Sequence, residues 1–374
     1  MKVKQTLLSA LNVNEDESKQ VFSLLAMGFF MGIFLATLDV GAAALFLNNL
    51  DEQQVEEQLP LAILASGILG IVFTAVYNFF QNRISFKALG IGALFIVTLT
   101  LLGVEVAFRN LSDPIPIYFF AFTFIVPANF MVMLVFWGAF GRMFSLRQAK
   151  RIIGGVDTGQ LIASIIALFS IPLIVPALLE TDDLLFISLI AIVGDMFVFF
   201  YILRSNLLQK KDHTDTQSIS YRGLLKNPYI ALMALFVIIS MVGINFVDYS
   251  FLTVTTARFD ENELPTFLSL FEATVVIFSF LFQTFVTDKV IQLYGLKVSL
   301  LVNPVLIIIF TAIAIPIGYS FGYNSTSGEA IIFFFIIIAM SKLFISSLKD
   351  ALDGPAFKLY FLPIDSTVRF DVQT

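Results

Sequence analysis

The sequence predicts an all-α membrane protein with ten transmembrane helices, set out as two parallel halves of which the second is incomplete. Three observations predict it. Composition is the first: 58% of the 374 residues are apolar, 13% are charged and Phe occurs 43 times. Soluble domains carry about 25% charge, and no water-soluble fold hides so much apolar surface. Ten mainly apolar runs long enough to cross a bilayer are the second. The third is the placement of Lys and Arg. With the N-terminus inside, every one of the 22 basic residues except Arg109 and Arg258 falls on an inner segment or inner span end. Positive-inside bias produces this alternation, and one span too many or too few would scramble it. Both termini are therefore expected in the cytoplasm.

Lipid-facing backbone must be helical to satisfy its own hydrogen bonds. In chain order the spans are 21–46, 60–80, 88–108, 116–143, 154–179, 184–208, 228–257, 264–287, 297–318 and 328–348. Residues 1–20 are polar, and the apolar run that follows is too long for a signal-peptide core, so span one is expected to be permanent. Outer loops are short and acidic, as in Asp51–Glu57 and Glu180–Asp183.

The same residues exclude several chemistries. A water-soluble enzyme, a nucleic-acid binder and a secreted module do not fit the composition. With no Cys there are no disulfides, thiol nucleophiles or cysteine-ligated metals, and the one His, His213, lies in a polar loop. No phosphate loop or nucleophile elbow occurs, and Gly90-Ile91-Gly92 lacks the third glycine of a dinucleotide fingerprint. We expect no enzyme activity, cofactor or metal.

The longest inner loop, 209–227, divides the chain into a six-span bundle (1–208) and a four-span bundle (228–348), followed by a cytoplasmic tail (349–374). Each half has a tight basic turn at the same place: Arg83 to Lys87 before span three, and Tyr294-Gly295-Leu296-Lys297 before span nine. Spans one and seven each carry an acid eight or nine residues in from the outer end, Asp39 and Asp248. Paired six-helix halves about a central cavity are a transporter architecture. Gly354-Pro355 and Leu362-Pro363 are expected to break any long helix beyond Leu348, so the tail reads as a turn leading towards two further spans.

Several stretches resemble the ATP/ADP translocase family of intracellular bacteria and plastids. Phe136-Trp137 followed by Gln148-Ala149-Lys150-Arg151 resembles that family's stretch leaving span four. Ile244-Asn245-Phe246-Val247-Asp248 is similar to its span-seven motif, and Tyr360-Phe361-Leu362-Pro363-Ile364-Asp365 to its segment after span ten. The resemblance implies a major-facilitator-like helix bundle, ten helices present of an expected twelve, and antiport of ATP and ADP. It also implies a cell membrane, the bacterial inner membrane, and a soluble domain downstream in the full-length protein. Of the family's charged positions only the span-seven acid keeps its kind, as Asp248. A Lys late in span one falls on Ala42, an acid ending span four on Arg142, and a Lys after span ten on Phe357, beside Lys358.

Ionised groups at bilayer depth cost about 2.5–3.5 kcal/mol or more each, which makes every one a functional candidate. Asp39, Asp195, Asp248 and Glu272 are the deep acids, with Asn245 as a hydrogen-bonding neighbour of Asp248, and these five are the expected cavity residues. Asp39 and Asp248 are expected to face one another across that cavity. Arg142, Lys150, Arg151 and Asp157 are the expected inner gate, where the basic residues also meet lipid headgroups. Arg142 and Lys342 are expected within about two turns of inner span ends, so no cation matches the depth of the acids. The expected function is secondary transport by alternating access, carrying a nucleotide such as ATP or ADP or a related solute. Two alternatives stay open: a proton-coupled or cation transporter, which unpaired carboxylates suit, and a non-transporting anchor or sensor for a downstream soluble domain.

Overall fold

A computed structural model describes residues 14, 17–81, 83–110, 115–144, 146–178, 180–208, 227–260, 263–321 and 328–360. Ten long helices carry the fold: α1 (Ser18–Asn48), α2 (Glu52–Gln81), α3 (Phe86–Asn110), α4 (Ile115–Met143), α5 (Leu146–Leu178), α6 (Asp183–Arg204), α7 (Pro228–Thr256), α8 (Leu264–Phe282), α9 (Asp288–Phe321) and α10 (Gly328–Leu348). Each falls on one of the spans expected from sequence. Among the described residues, nine helical segments are long and apolar enough to cross a membrane. The tenth, α5, is apolar over its described stretch Gly159–Val175, and its first turns hold Arg147, Lys150, Arg151 and Asp157. The protein is an all-α integral membrane protein with multiple spans.

Two compact units divide the chain. The first holds α1 to α6 together with Asp260–Ala273, and the second holds α7 and everything described from Thr274 onward. The sequence boundary lies at the 209–227 loop, of which only Asn227 is described, but α8 itself is split between the groupings.

Within the first unit α1 is the central helix and packs on α4, α5 and α6. It is buried along most of its length because small residues recur on the faces it presents. At Gly32 an added Cβ would press on the backbone carbonyl of Gln160 and lie 2.9 Å from the Ala163 Cβ. Ser164 Oγ then donates to the Gly32 carbonyl at 3.1 Å, and Thr37 and Ser188 share a buried hydroxyl–hydroxyl bond of 2.7 Å between α1 and α6. Outward-facing apolar residues such as Ile71, Phe95, Leu173 and Phe197 remain exposed, as lipid contact requires.

The second unit departs from the sequence expectation at the end of α10. The helix does not stop at Leu348. It continues through a π-helical turn, Lys349–Asp353, into α11 (Gly354–Tyr360). Gly354 is in the ordinary helical region, and Pro355 is tolerated because it opens a new helix, where its missing N–H is one of the unpaired donors anyway. The apolar segment therefore runs Ile332–Phe357. A matching π-helical turn, Gln283–Thr287, ends α8. Thr287 Oγ1 donates to the Ala351 carbonyl at 2.6 Å and ties the two distorted stretches together, and just before them Ser279 Oγ donates to the Ser347 carbonyl at 3.0 Å. π-turns leave carbonyls for such outside donors.

The basic turn before span nine is built on Gly295, which breaks α9 with φ 78° and ψ 170°. A side chain there has open space, but that backbone region belongs almost only to glycine. Gly295→Ala should lower stability by about 1–3 kcal/mol, whereas Gly67→Ala, also in open space but helical, should be neutral or stabilising. Thermal unfolding of the two variants in detergent checks this.

Candidate functional site

Asp248 sits in the last third of α7 and Lys342 in α10. Lys342 Nζ donates to Asp248 Oδ1 at 2.7 Å, with 14% of the lysine side chain and 31% of the aspartate exposed. The expectation that no cation matches the depth of the acids is thereby corrected. Its physical reason is the continuation of α10: with the span running Ile332–Phe357, Lys342 lies near its middle rather than two turns from its end. A carboxylate and an ammonium at that depth each need a counter-charge, and here each supplies the other's. Ile244 and Val247 on α7 pack with Ile345 on α10, flanked by Leu306 and Ile307 of α9, and this apolar cluster holds the two helices in register beside the ion pair. Asn245 does not serve Asp248: it is exposed, and its Nδ2 donates to the Met241 carbonyl one turn back at 2.8 Å.

In the first unit Asp39 is half-buried on α1 and accepts from Asn129 Nδ2 of α4 at 2.8 Å. Asn129 Oδ1 is buried and has no donor among the described residues. Sequence reasoning missed Asn129. It follows Pro127 in a run of Phe, Val and Ala, and only a polar amide at bilayer depth could have flagged it.

Asp195, in the middle of α6, is fully buried, and neither carboxylate oxygen has a hydrogen-bond partner among the described residues. Glu272 is half-buried on α8 and groups with the first unit. Of the expected gate, Arg142 is accounted for. Its guanidinium lies 3.9 Å over the Phe86 ring and donates to the Gly138 carbonyl at 3.0 Å, tying the end of α4 to the start of α3. The side chains of Lys150, Arg151 and Asp157 lie outside the described residues, as do Arg147 and the Leu362-Pro363 segment. Beside them Gln148 Nε2 donates to the buried Glu17 Oε1 at 2.7 Å, so the start of α5 is fastened to the start of α1.

Among the deep acids, geometry pairs Asp248 with Lys342 in the second unit and Asp39 with Asn129 in the first, and encloses Asp195, which has no hydrogen-bond partner among the described residues. A paired ammonium at mid-span can exchange its carboxylate partner for an anion from solution; an enclosed acid without a partner can hold a proton.

Known proteins share this chain's fold and, over part of its length, its sequence. No protein-family profile matches it. Over 155 residues it is 28% identical to ADP,ATP carrier protein 1 of Chlamydia muridarum (strain MoPn / Nigg), covering 40% of this chain and 29% of the carrier. Over 152 residues it is 26% identical to ADP,ATP carrier protein 1 of Chlamydia pneumoniae, covering 39% and 30%. The chain matches less than a third of the length of these curated relatives. Among solved structures, a mutant of the nucleoside transporter NupG superposes with a TM-score of 0.62 at 13% identity, over 94% of this chain and 85% of that one. The POT family transporter PepTSo gives 0.61 at 9% identity, over 95% and 86%. The chain has a major-facilitator-like fold and a distant, partial similarity to chlamydial ADP,ATP carriers.

Proposed function

We propose that this chain is a secondary transporter working by alternating access, and that its solute is a nucleotide or a related phosphate-bearing anion. The observation that carries the reading is the Lys342–Asp248 pair. Phosphate recognition needs a cation, and Lys binds phosphate as a point charge. An ammonium alone at mid-span would be costly, but Asp248 neutralises it in the empty state. An arriving phosphate replaces the carboxylate, so Lys342 keeps a counter-charge throughout, and the partial exposure of both side chains gives the solute access. The partial likeness to ADP,ATP carriers supports the choice of solute.

A transporter of organic cations is the second reading, favoured by Asp195, whose buried carboxyl has no partner among the described residues. Thermal unfolding of the purified protein with ATP, ADP, inorganic phosphate, adenosine or an organic amine separates the two. A ligand at 100 times its dissociation constant stabilises the folded state by about 2.7 kcal/mol. The anion reading expects ATP, ADP and phosphate to raise the midpoint, and Lys342→Gln to remove the effect. Stabilisation by the amine and not by phosphate-bearing compounds would overturn it.

A further inference from the structure

The second unit holds a polar pair that anion exchange at Lys342 does not use. Asn303 lies on α9 and is 2% exposed. Its Nδ2 donates to Asp353 Oδ2 at 2.7 Å and to the Ile345 carbonyl at 3.3 Å. Those bonds fix which way the amide points, since turning it over would set its oxygen against two acceptors. Asn303 Oδ1 and Asp353 Oδ1 are then both buried acceptors with no donor among the described residues. A buried acceptor left without a donor is penalised because it has given up water for nothing, and here two such penalties fall on one contact.

Backbone geometry puts Asp353 there. It closes the π-helical turn Lys349–Asp353, which inserts one residue relative to an α-helix. In plain α-helical register Asp353 would be rotated by about 100° around the helix axis, away from its present bearing on α9. The distortion is itself held in place by the Thr287 hydroxyl on the Ala351 carbonyl. The charged groups whose fields reach Asp353 are Lys349 and Asp350 of its own turn, one attracting a carboxylate and the other repelling it. Further along α10, Lys342 is bound to Asp248 of α7. The turn is met by the Thr287 hydroxyl, and the Ser279 hydroxyl of α8 meets the helix just before it, while Lys289 and Lys297 of α9 are exposed. No cation donates to Asp353 among the described residues.

The pair lacks one hydrogen-bond donor, and a single proton supplies it. We propose that Asn303 and Asp353 form a proton-binding site, with Asp353 loaded in one state of the transport cycle and emptied in another, so that solute movement is coupled to a proton gradient. Loading transfers one proton from hydronium to the Asp353 carboxylate, giving a neutral acid–amide pair and water, and no other reactant is needed. The coupling rests on the transporter reading above; proton binding itself does not.

Two measurements keep these separate. An infrared pH titration of the purified protein should show a protonated-carboxyl C=O band that Asp353→Asn removes and Asn303→Leu shifts, since Leu takes away the amide partner. A band unchanged in both variants overturns the site, and if Asp353→Asn does not fold, an unshifted band in Asn303→Leu does so alone. In proteoliposomes, an inward gradient of one pH unit should raise solute accumulation by about tenfold for one coupled proton. Asp353→Asn should keep solute exchange and lose that increase, and retention of the full increase overturns the coupling. A band with the expected changes in a protein that moves no solute supports the proton site and removes the transporter reading.

Discussion

Lys342→Ala should destabilise the protein and abolish its response to phosphate-bearing solutes. Removing one partner of a buried ion pair costs about 3–5 kcal/mol, because the other is left charged without compensation. Here Asp248 keeps 31% of its side chain exposed, so water shares the load and about 2 kcal/mol is the expected loss. Asp248→Ala strands the ammonium in the same way. The double variant Lys342→Ala with Asp248→Ala should be more stable than either single one, since it leaves no stranded charge, and a double-mutant cycle reads the coupling directly. Exchanging the two residues, Lys342→Asp with Asp248→Lys, should restore unfolding temperature without restoring the phosphate response. A cation moved to α7 no longer faces the solute from α10. If both single variants unfold as the parent does, the pair contributes nothing and the account of the second unit fails.

Gly32→Leu should have the larger effect on folding. The Cβ at this position meets backbone on α5, the Gln160 carbonyl and the Ser164 N–H at 3.0 Å, so no rotamer change can relieve it. Helix α1 would have to move away from α5, breaking the 3.1 Å bond from Ser164 to the Gly32 carbonyl and loosening the contacts of the most buried helix in the unit. Overpacking of this kind costs about 1–3 kcal/mol, and a leucine belongs at the upper end. Gly32→Ala should be milder but still destabilising, because even one methyl lies too close. An added Cβ at Gly92 on α3 meets nothing within 4 Å, so Gly92→Leu should be neutral or stabilising. Detergent-solubilised yield and unfolding temperature compare the three.

Much of the architecture was legible in the sequence because lipid imposes a simple rule on composition. Ten apolar runs became ten helices, and the basic turn before span nine became the Gly295 break. Where the sequence misled, local charge and proline outweighed helix continuity. Lys349, Asp350 and Gly354-Pro355 pointed to a helix end at Leu348, but the chain passes through a π-turn, pinned by the Thr287 hydroxyl, into a new helix whose first turn accepts the proline. That one misplaced end put Lys342 near the surface and hid its pairing with Asp248. Asn129 and Asn303 were equally hidden. An uncharged amide barely alters a hydropathy profile, and its partner is 90 residues away for Asn129 and 50 for Asn303. Asp39, Asp195 and Asp248 stood out by contrast, since a carboxylate within an apolar run is too costly to leave facing lipid.

The central claim is that Lys342 passes from Asp248 to an anionic solute. Exchange of labelled ADP into ATP-loaded proteoliposomes tests it most directly. The account predicts uptake that depends on internal nucleotide, is lost in Lys342→Gln, and survives with altered affinity in Lys342→Arg, which keeps the charge but changes its shape. Uptake equal to that of protein-free vesicles, or undiminished in Lys342→Gln, would contradict it.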